Sequence, residues 1–60
     1  ILKRGMRGEG VKMMQEAIGI ADADGIFGPG TESAVKRWQS DHHLTADGVV
    51  GLMTLDKMFA

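Results

Sequence analysis

The chain has 60 residues, 43% of them apolar, and contains no cysteine. A chain of this length forms one small domain that buries only about 60% of the surface it exposes on unfolding, and here no disulfide can add stability. We therefore expect a compact, helix-rich core. The net charge of −1 lacks the basic excess of a nucleic-acid-binding protein, whose affinity depends on neutralising several phosphates.

Charge and hydropathy along the chain exclude further classes of protein. Residues 1–12 are basic overall, whereas residues 20–60 carry six acidic and three basic side chains. No apolar run is long enough to cross a membrane and no signal peptide opens the chain, so membrane insertion is not expected. The chain begins at Ile1 and not at Met, which predicts that it is a fragment of a larger protein.

The first predicted helix begins after Gly8 and ends at Gly19, a residue suited to a left-handed C-terminal cap. Gln15 is expected on the outer face of this helix, beside charged residues. The buried face is predicted to consist of the apolar residues at helical spacing, Val11, Met14, Ala17 and Ile18.

An Asp-Gly turn, Asp24-Gly25, precedes the second predicted helix. Its carboxylate is expected to accept nearby backbone N–H groups, while the glycine adopts positive φ. Gly28 is the predicted N-cap because Pro29 fits the first helical position. The hydroxyl of Thr31 is expected to reach back to the backbone of the cap. The predicted buried face consists of Ala34, Val35 and Trp38.

The same pattern recurs 23 residues later in the chain. Asp47-Gly48 forms the second turn, and Gly51 is the predicted N-cap of the third helix. Thr54 takes the place of the earlier threonine. The predicted buried stripe of the third helix consists of Leu55, Met58 and Phe59.

Two further residues complete the predicted core. Leu44 is expected to return to the interior after the second helix ends. Trp38 is favoured as a core residue over a sugar-binding platform, because a domain this small must use its largest side chain for burial. Together the elements predict an all-α fold: a compact three-helix module spanning residues 1–60, with two short Asp-Gly loop repeats preceding helices 2 and 3.

The order of these blocks resembles the peptidoglycan-binding domain family of bacterial and phage cell-wall hydrolases. The blocks are Gly8-x-x-Val11-x-x-Met14-Gln15-x-x-Ile18, Ala23-Asp24-Gly25-Ile26-Phe27-Gly28-Pro29-x-Thr31-x-x-Ala34-Val35-x-x-Trp38-Gln39 and Leu44-x-Ala46-Asp47-Gly48-Val49-Val50-Gly51-x-x-Thr54-Leu55. The resemblance implies a non-catalytic three-helix module that holds an amidase, peptidase, muramidase or transglycosylase against the wall. The chain departs from the family at His43, where Gly is usual, and at Leu52, where Pro is usual.

The resemblance also implies partners, a location and a binding surface. The expected partners are peptidoglycan, through its glycan strand or stem peptide, and a covalently linked catalytic domain, and the module is expected to be a monomer. The expected location is the cell wall, reached by a secreted or periplasmic protein or through a phage lysis system. The binding surface is predicted as a shallow groove beside the Asp-Gly turns and the second helix. Its expected ligand contacts are Asp24, Gly25, Phe27, Gly28, Arg37 and Gln39. Of the adjacent apolar residues Ile26 and Phe27, one is expected to face the core and the other to lie near the surface, where an exposed Phe27 would contribute to the site.

Catalytic and metal-binding roles are weaker interpretations of the polar residues. Ser33 and Ser40 lie on a helix without a recognisable base, so no catalytic residue and no cofactor are predicted. The adjacent His42 and His43 point in different directions on a helix and are not expected to chelate one metal ion.

Two other functions stay open at this point. One is a regulatory module that packs on its own catalytic domain, as in metalloprotease prodomains, although the inhibitory cysteine of those proteins is absent here. The other is a helix-turn-helix DNA reader, which the negative net charge and the tryptophan on the second helix oppose.

Overall fold

Three helices make up the regular structure of the chain. The computed structural model describes all 60 residues. Its helices are α1 (Glu9–Ala17), α2 (Pro29–Asp41) and α3 (Leu52–Met58). The predicted all-α class is therefore confirmed. None of the helices has the length and apolar character needed to cross a membrane.

Each helix begins directly after a glycine, at the positions predicted from the sequence. The N-caps are Gly8, Gly28 and Gly51. None of the three helices has a side-chain hydrogen bond at its cap, so Thr31 does not bond back to the cap of α2. That prediction is wrong because the Thr31 hydroxyl is directed to the preceding loop, where its Oγ1 lies 3.4 Å from the Ile26 carbonyl oxygen.

The end of α1 is a Schellman motif. Gly19 adopts left-handed φ (+85°), and its N–H donates to the Glu16 carbonyl at 3.2 Å. The Ile20 N–H donates to the Gln15 carbonyl at 2.9 Å. These two bonds satisfy carbonyl groups that the end of the helix would otherwise leave without partners.

The end of α2 is the same motif built around a histidine. The His43 N–H donates to the Ser40 carbonyl at 3.2 Å, and the Leu44 N–H donates to the Gln39 carbonyl at 2.8 Å. His43 occupies the left-handed position with φ +59° and is the only non-glycine residue with positive φ. A side chain is strained in this region, although histidine tolerates it better than most residues do.

His43→Gly is expected to stabilise the chain by about 0.5 to 1 kcal/mol, because glycine adopts this φ without steric cost. For a domain of this size the gain corresponds to a rise in Tm of roughly 3 to 6 °C. Thermal unfolding followed by circular dichroism measures the change. His43→Ala removes the same ring but keeps the Cβ atom, so an equal gain with alanine would rule out the backbone explanation.

The hydrophobic core is one cluster of five buried side chains. These are Val11, Met14, Phe27, Val35 and Val50. Half-buried apolar side chains that pack against the cluster are Leu2, Ile18, Leu55 and Met58. Six of the predicted core residues therefore belong to the cluster or pack on it. Phe59 does not, because it lies past the end of α3 and is 54% exposed. Ala17 does not either, because it lies on the exposed side of the last turn of α1.

Trp38 and Leu44, both predicted for the core, are only half-buried and lie outside the cluster. The indole ring of Trp38 stacks on the His42 imidazole, with ring centroids 3.9 Å apart and an interplanar angle of 21°. Trp38 lies outside the core because α2 turns a different face to the interior from the one predicted. The residues that α2 buries are Thr31, Val35 and Gln39.

The N-terminal segment, residues 1–8, pairs with both Asp-Gly loops. Leu2 and Val50 exchange two backbone hydrogen bonds, of 2.9 and 2.7 Å. Arg7 forms an antiparallel bridge with Ile26. One short segment thus holds two loops that lie far apart in the sequence.

Candidate functional site

The first Asp-Gly loop is organised by the side-chain amide of Gln15, which is only 1% exposed. Its Oε1 accepts the Gly25 N–H at 2.8 Å. Its Nε2 lies within hydrogen-bonding distance of the Asp24 carboxylate (3.2 Å), the Ile26 carbonyl (3.1 Å) and the Thr31 hydroxyl (2.9 Å). We call these five residues the first corner. One amide therefore ties α1 to the loop and to the start of α2.

The second Asp-Gly loop repeats this arrangement around Gln39. Its Oε1 accepts the Gly48 N–H at 3.0 Å. Its Nε2 lies 3.2 Å from the Asp47 carboxylate, 2.9 Å from the Val49 carbonyl and 3.2 Å from the Thr54 hydroxyl. These five residues are the second corner. Thr31, near the start of α2, belongs to the first corner, and Gln39, near its end, belongs to the second. This helix therefore connects the two corners.

The Asp-Gly pairs have the turn geometry expected of them. Oδ1 of Asp24 accepts the N–H two residues later at 2.9 Å, and Oδ1 of Asp47 does the same. Gly25 and Gly48 follow with φ of +78° and +77°. At Gly25 a Cβ atom would also lie 3.1 Å from the Gly8 carbonyl oxygen. Both the backbone conformation and the close approach therefore require glycine there.

The two corner carboxylates have a lowered pKa. The Ile26 N–H, followed by the Gln15 amide, stabilises the ionised Asp24 side chain and lowers its pKa. The Val49 N–H is the main cause of the lowered pKa of Asp47. Hydrogen bonds donated to a carboxylate favour its charged form. Both corners therefore carry a negative charge at neutral pH.

Acid is expected to destabilise the chain through these two groups. A carboxyl whose pKa is lower in the folded state contributes stability above its unfolded value, about 3.9, and loses it as pH falls through the folded value. The double variant Asp24→Asn, Asp47→Asn should therefore lose less stability than the wild type below about pH 5. Asparagine keeps an oxygen for the same N–H. Urea unfolding at a series of pH values measures the free energy of unfolding of both proteins. An equal loss of stability in both as the pH falls would refute the prediction.

The structure corrects the predicted placement of Phe27 as a ligand contact. Its side chain is 1% exposed, whereas the neighbouring Ile26 is 47% exposed. The Phe27 N–H donates to the Met6 carbonyl, and its carbonyl accepts the Gly5 N–H, each at 2.9 Å. Alternation in this extended pairing turns Phe27 inward and Ile26 outward. Phe27 therefore supports the first corner from the core.

The other predicted ligand contacts are divided between the interior and the surface. Gln39 is 1% exposed, and its amide is used within the second corner, which corrects its placement as a ligand contact. Asp24 and Gly25 come together beside a surface groove. Gly28 is the half-buried N-cap of α2, and Arg37 is exposed on α2 outside the grooves described next.

A polar groove of about 510 Å³, the first groove, lies beside the first corner. The lining residues are Arg7, Gly8, Glu9, Lys12, Asp24, Gly25 and Ile26. The only ion pair of the structure, between Arg4 and Glu32 at 3.7 Å, lies outside it. The Arg7 and Lys12 side chains are therefore not paired with a carboxylate and can meet a ligand.

A largely apolar groove of about 530 Å³, the second groove, lies beside the second corner. The lining residues are Ile1, His43, Leu44, Thr45, Asp47, Val49, Gly51, Leu52, Met53 and Thr54. Leu52 and Met53 are 81% and 78% exposed. No Phe, Tyr or Trp lines either groove. Each corner thus has a groove beside it, and the two grooves differ in chemistry.

Sequence reasoning missed Gln15, which it assigned to the outer face of α1. The signal that identifies it is its counterpart in the second repeat. Gln15 precedes Asp24 by nine residues, and Gln39 precedes Asp47 by eight. When the repeat is taken to begin at the Asp-Gly pair, it omits the preceding helix. It thereby omits the glutamine on that helix that organises each corner.

The corners are hydrogen-bond networks and contain no grouping suited to a metal ion. No set of three or more His, Cys, Asp or Glu side chains is placed to hold one. In both corners Oδ1 of the aspartate makes the internal bonds. Oδ2 of each exposed carboxylate is left for solvent or a ligand.

Comparison with known proteins identifies relatives over almost the whole chain. Residues 7–58 match a family model described as a putative peptidoglycan binding domain. The chain is 40% identical over 65 residues to the zinc D-Ala-D-Ala carboxypeptidase of Streptomyces albus G. It is 39% identical over 64 residues to the N-acetylmuramoyl-L-alanine amidase CwlL of Bacillus licheniformis. These alignments cover 97% and 88% of this chain but only 26% and 18% of the relatives.

A solved structure has the same fold. It is the crystal structure of a peptidoglycan-binding protein from Clostridioides difficile in complex with glutamine hydroxamate. The TM-score is 0.87 at 33% sequence identity, over 95% of this chain and 39% of that one.

Proposed function

This chain belongs to the family of putative peptidoglycan binding domains, and on that premise we propose that it is a non-catalytic module that anchors an attached cell-wall hydrolase to peptidoglycan. The observation that carries the proposal is a match of residues 7–58 to a binding domain, in a chain that spans only a minor part of two hydrolases. In this proposal the bond-cleaving residues lie in the remainder of the protein, and this segment supplies attachment at the wall, outside the cytoplasm.

The use of the buried polar side chains supports attachment over catalysis. The buried polar residues are Gln15, Thr31, Gln39 and Thr54. All four are hydrogen-bonded within the corners. Groups held in this way fix the shape of a loop and are not free to act as nucleophile or base. Two rigid corners with a groove beside each suit a surface that binds a ligand without changing shape.

We place the polar contacts with peptidoglycan in the first groove. Asp24 and Gly25 form one side of it, and Arg7 and Lys12 offer cations to anionic and muramyl oxygens of the polymer. Arg37, exposed on α2, and Gly28 are proposed as further contacts outside the groove. Affinity from so small a surface is modest, but a tethered enzyme needs only a raised local concentration on the polymer.

Sedimentation with purified sacculi tests the proposal. The folded chain is expected in the pellet, and its recovery wholly in the supernatant would contradict the proposal. The double variant Arg7→Ser, Lys12→Ser should lower the bound fraction. The double variant Lys3→Ser, Lys57→Ser removes the same charge outside the first groove and should bind like the wild type. Equal losses in both variants would indicate unspecific charge attraction.

Activity of the longer hydrolase tests attachment against the regulatory alternative. Deleting the module should reduce cleavage of insoluble sacculi and leave cleavage of soluble wall fragments unchanged, because attachment helps only on the polymer. Faster cleavage of both substrates after the deletion would favour an inhibitory module.

A further inference from the structure

We propose that the second groove is a binding site for the stem peptide of peptidoglycan, with the apolar lining holding alanine methyl groups and Asp47 holding the ammonium group of the peptide's diamino acid. The inference rests on the proposed function and refines it, because it assigns recognition at this groove to the peptide and not to the glycan strand.

The apolar lining is the first argument. Leu52 and Met53 are adjacent at the start of α3 and largely exposed, and both line the same groove. A single exposed leucine needs no explanation, but two neighbouring large apolar side chains in one groove are typical of a binding surface. Stem peptides are rich in alanine, whose methyl groups are small enough to pack between these side chains. Ligand sites combine such a lining with few polar groups that fix orientation.

The charge of the groove is the second argument. Asp47 is the only carboxylate among its lining residues. Oδ1 of Asp47 accepts from the Gln39 amide and the Val49 N–H, which leaves Oδ2 for a ligand. The Asx turn also holds this carboxylate in one orientation. A stem peptide offers a side-chain ammonium group from its diamino acid, whereas an N-acetylated glycan strand has no cation. Charge complementarity therefore selects the peptide.

The placement of aromatic side chains is the third argument. The C–H face of a sugar ring packs well against the flat face of an exposed aromatic residue. Phe27 is in the core, and one face of the Trp38 indole is covered by His42. Phe59 is exposed, but it lines neither groove. The second groove thus has no Phe, Tyr or Trp face on which a sugar ring could pack.

Chemical-shift mapping with separated parts of the polymer tests the inference. The probes are the synthetic peptide N-acetyl-L-Ala-γ-D-Glu-L-Lys-D-Ala-D-Ala, the same peptide with its lysine side chain acetylated, and glycan strands freed of peptide by an amidase. The blocked amino terminus leaves the lysine ammonium group as the only cation of the first peptide. The unmodified peptide should shift the amide signals of Leu44, Val49 and residues 51–54. The acetylated peptide should bind more weakly, by about twofold to fivefold for one exposed ion pair. The glycan strands should leave these signals in place.

Variants in the groove complete the test. Met53→Ser should weaken binding of the peptide by about fivefold to tenfold, because it removes most of one apolar contact. Met13→Ser, at a side chain that is 57% exposed and lines neither groove, should leave binding unchanged. Asp47→Asn should weaken the unmodified peptide only, and Asp22→Asn, the same change at an exposed aspartate that lines neither groove, should leave binding unchanged.

Three results would overturn the inference. Sacculi that retain the chain while only glycan strands shift the second-groove signals would leave the proposed function standing and assign the groove to sugar. Peptide-induced shifts confined to the first groove would place the peptide-binding site in the first groove instead. Failure to bind sacculi at all would remove the proposed function itself, and the inference with it.

Discussion

Phe27→Ala is expected to lower the free energy of unfolding by about 3 to 5 kcal/mol, as truncation of a buried aromatic side chain generally does. Phe27 has the largest fully buried side chain of the molecule and lies in the five-residue core cluster. A chain of this length has a total stability of roughly 3 to 9 kcal/mol, so the variant will lose a large share of it. Urea unfolding followed by far-ultraviolet circular dichroism measures the loss.

Two further variants separate burial from side-chain size. Phe27→Leu keeps most of the apolar volume and should lose only about 1 to 2 kcal/mol, which keeps the comparison within reach if the alanine variant does not fold. Trp38→Ala removes a larger side chain from a half-buried site and should be less destabilising than Phe27→Ala. If the tryptophan variant loses as much stability, the placement of Trp38 outside the core is wrong.

Gln15→Leu is expected to lower the free energy of unfolding by about 2 to 4 kcal/mol, because leucine fills the space but offers no partner to several buried polar groups. The Gly25 N–H and the Thr31 hydroxyl, both buried, lose the amide they contact at 2.8 and 2.9 Å. Glu16→Leu makes a similar change at an exposed neighbouring site and should alter stability by no more than about 0.5 kcal/mol.

Hydrogen exchange distinguishes loss of the first corner from general weakening of the fold. In Gln15→Leu the Gly25 amide should exchange much faster, while the Gly48 amide should keep most of its protection because Gln39 still accepts its hydrogen bond. Gln39→Leu should give the reverse pattern. Loss of protection that is uniform along the chain in both variants would argue against two separate corners.

The helices were predictable because their boundaries are set by local chemistry. A glycine precedes each helix, Pro29 fits the first turn of α2, and Gly19 fits a left-handed cap. These effects act over a few residues and need no tertiary contact. The positive φ at Gly25 and Gly48 follows in the same way from the Asp-Gly turns.

The rotation of α2 was not predictable from hydrophobic periodicity. Thr31 and Gln39 turn inward because each finds hydrogen-bond partners in a corner formed by distant residues. A pattern of apolar residues cannot signal such partners, so it assigned the interior to Trp38. The choice between Ile26 and Phe27 was decided by pairing with the N-terminal segment, which is also a long-range contact. The candidate ligand contacts failed where they depended on these side chains.

The position of Trp38 determines what intrinsic fluorescence of this chain will report. It is the only tryptophan, and it lies near the C-terminal end of α2, against His42 and outside the core cluster. Indole emission will therefore follow fraying of that helix end, while the amide signal in the far ultraviolet follows all three helices. Melting curves from the two probes that do not superimpose would reveal local opening before global unfolding, and a stability derived from emission alone would then be too low.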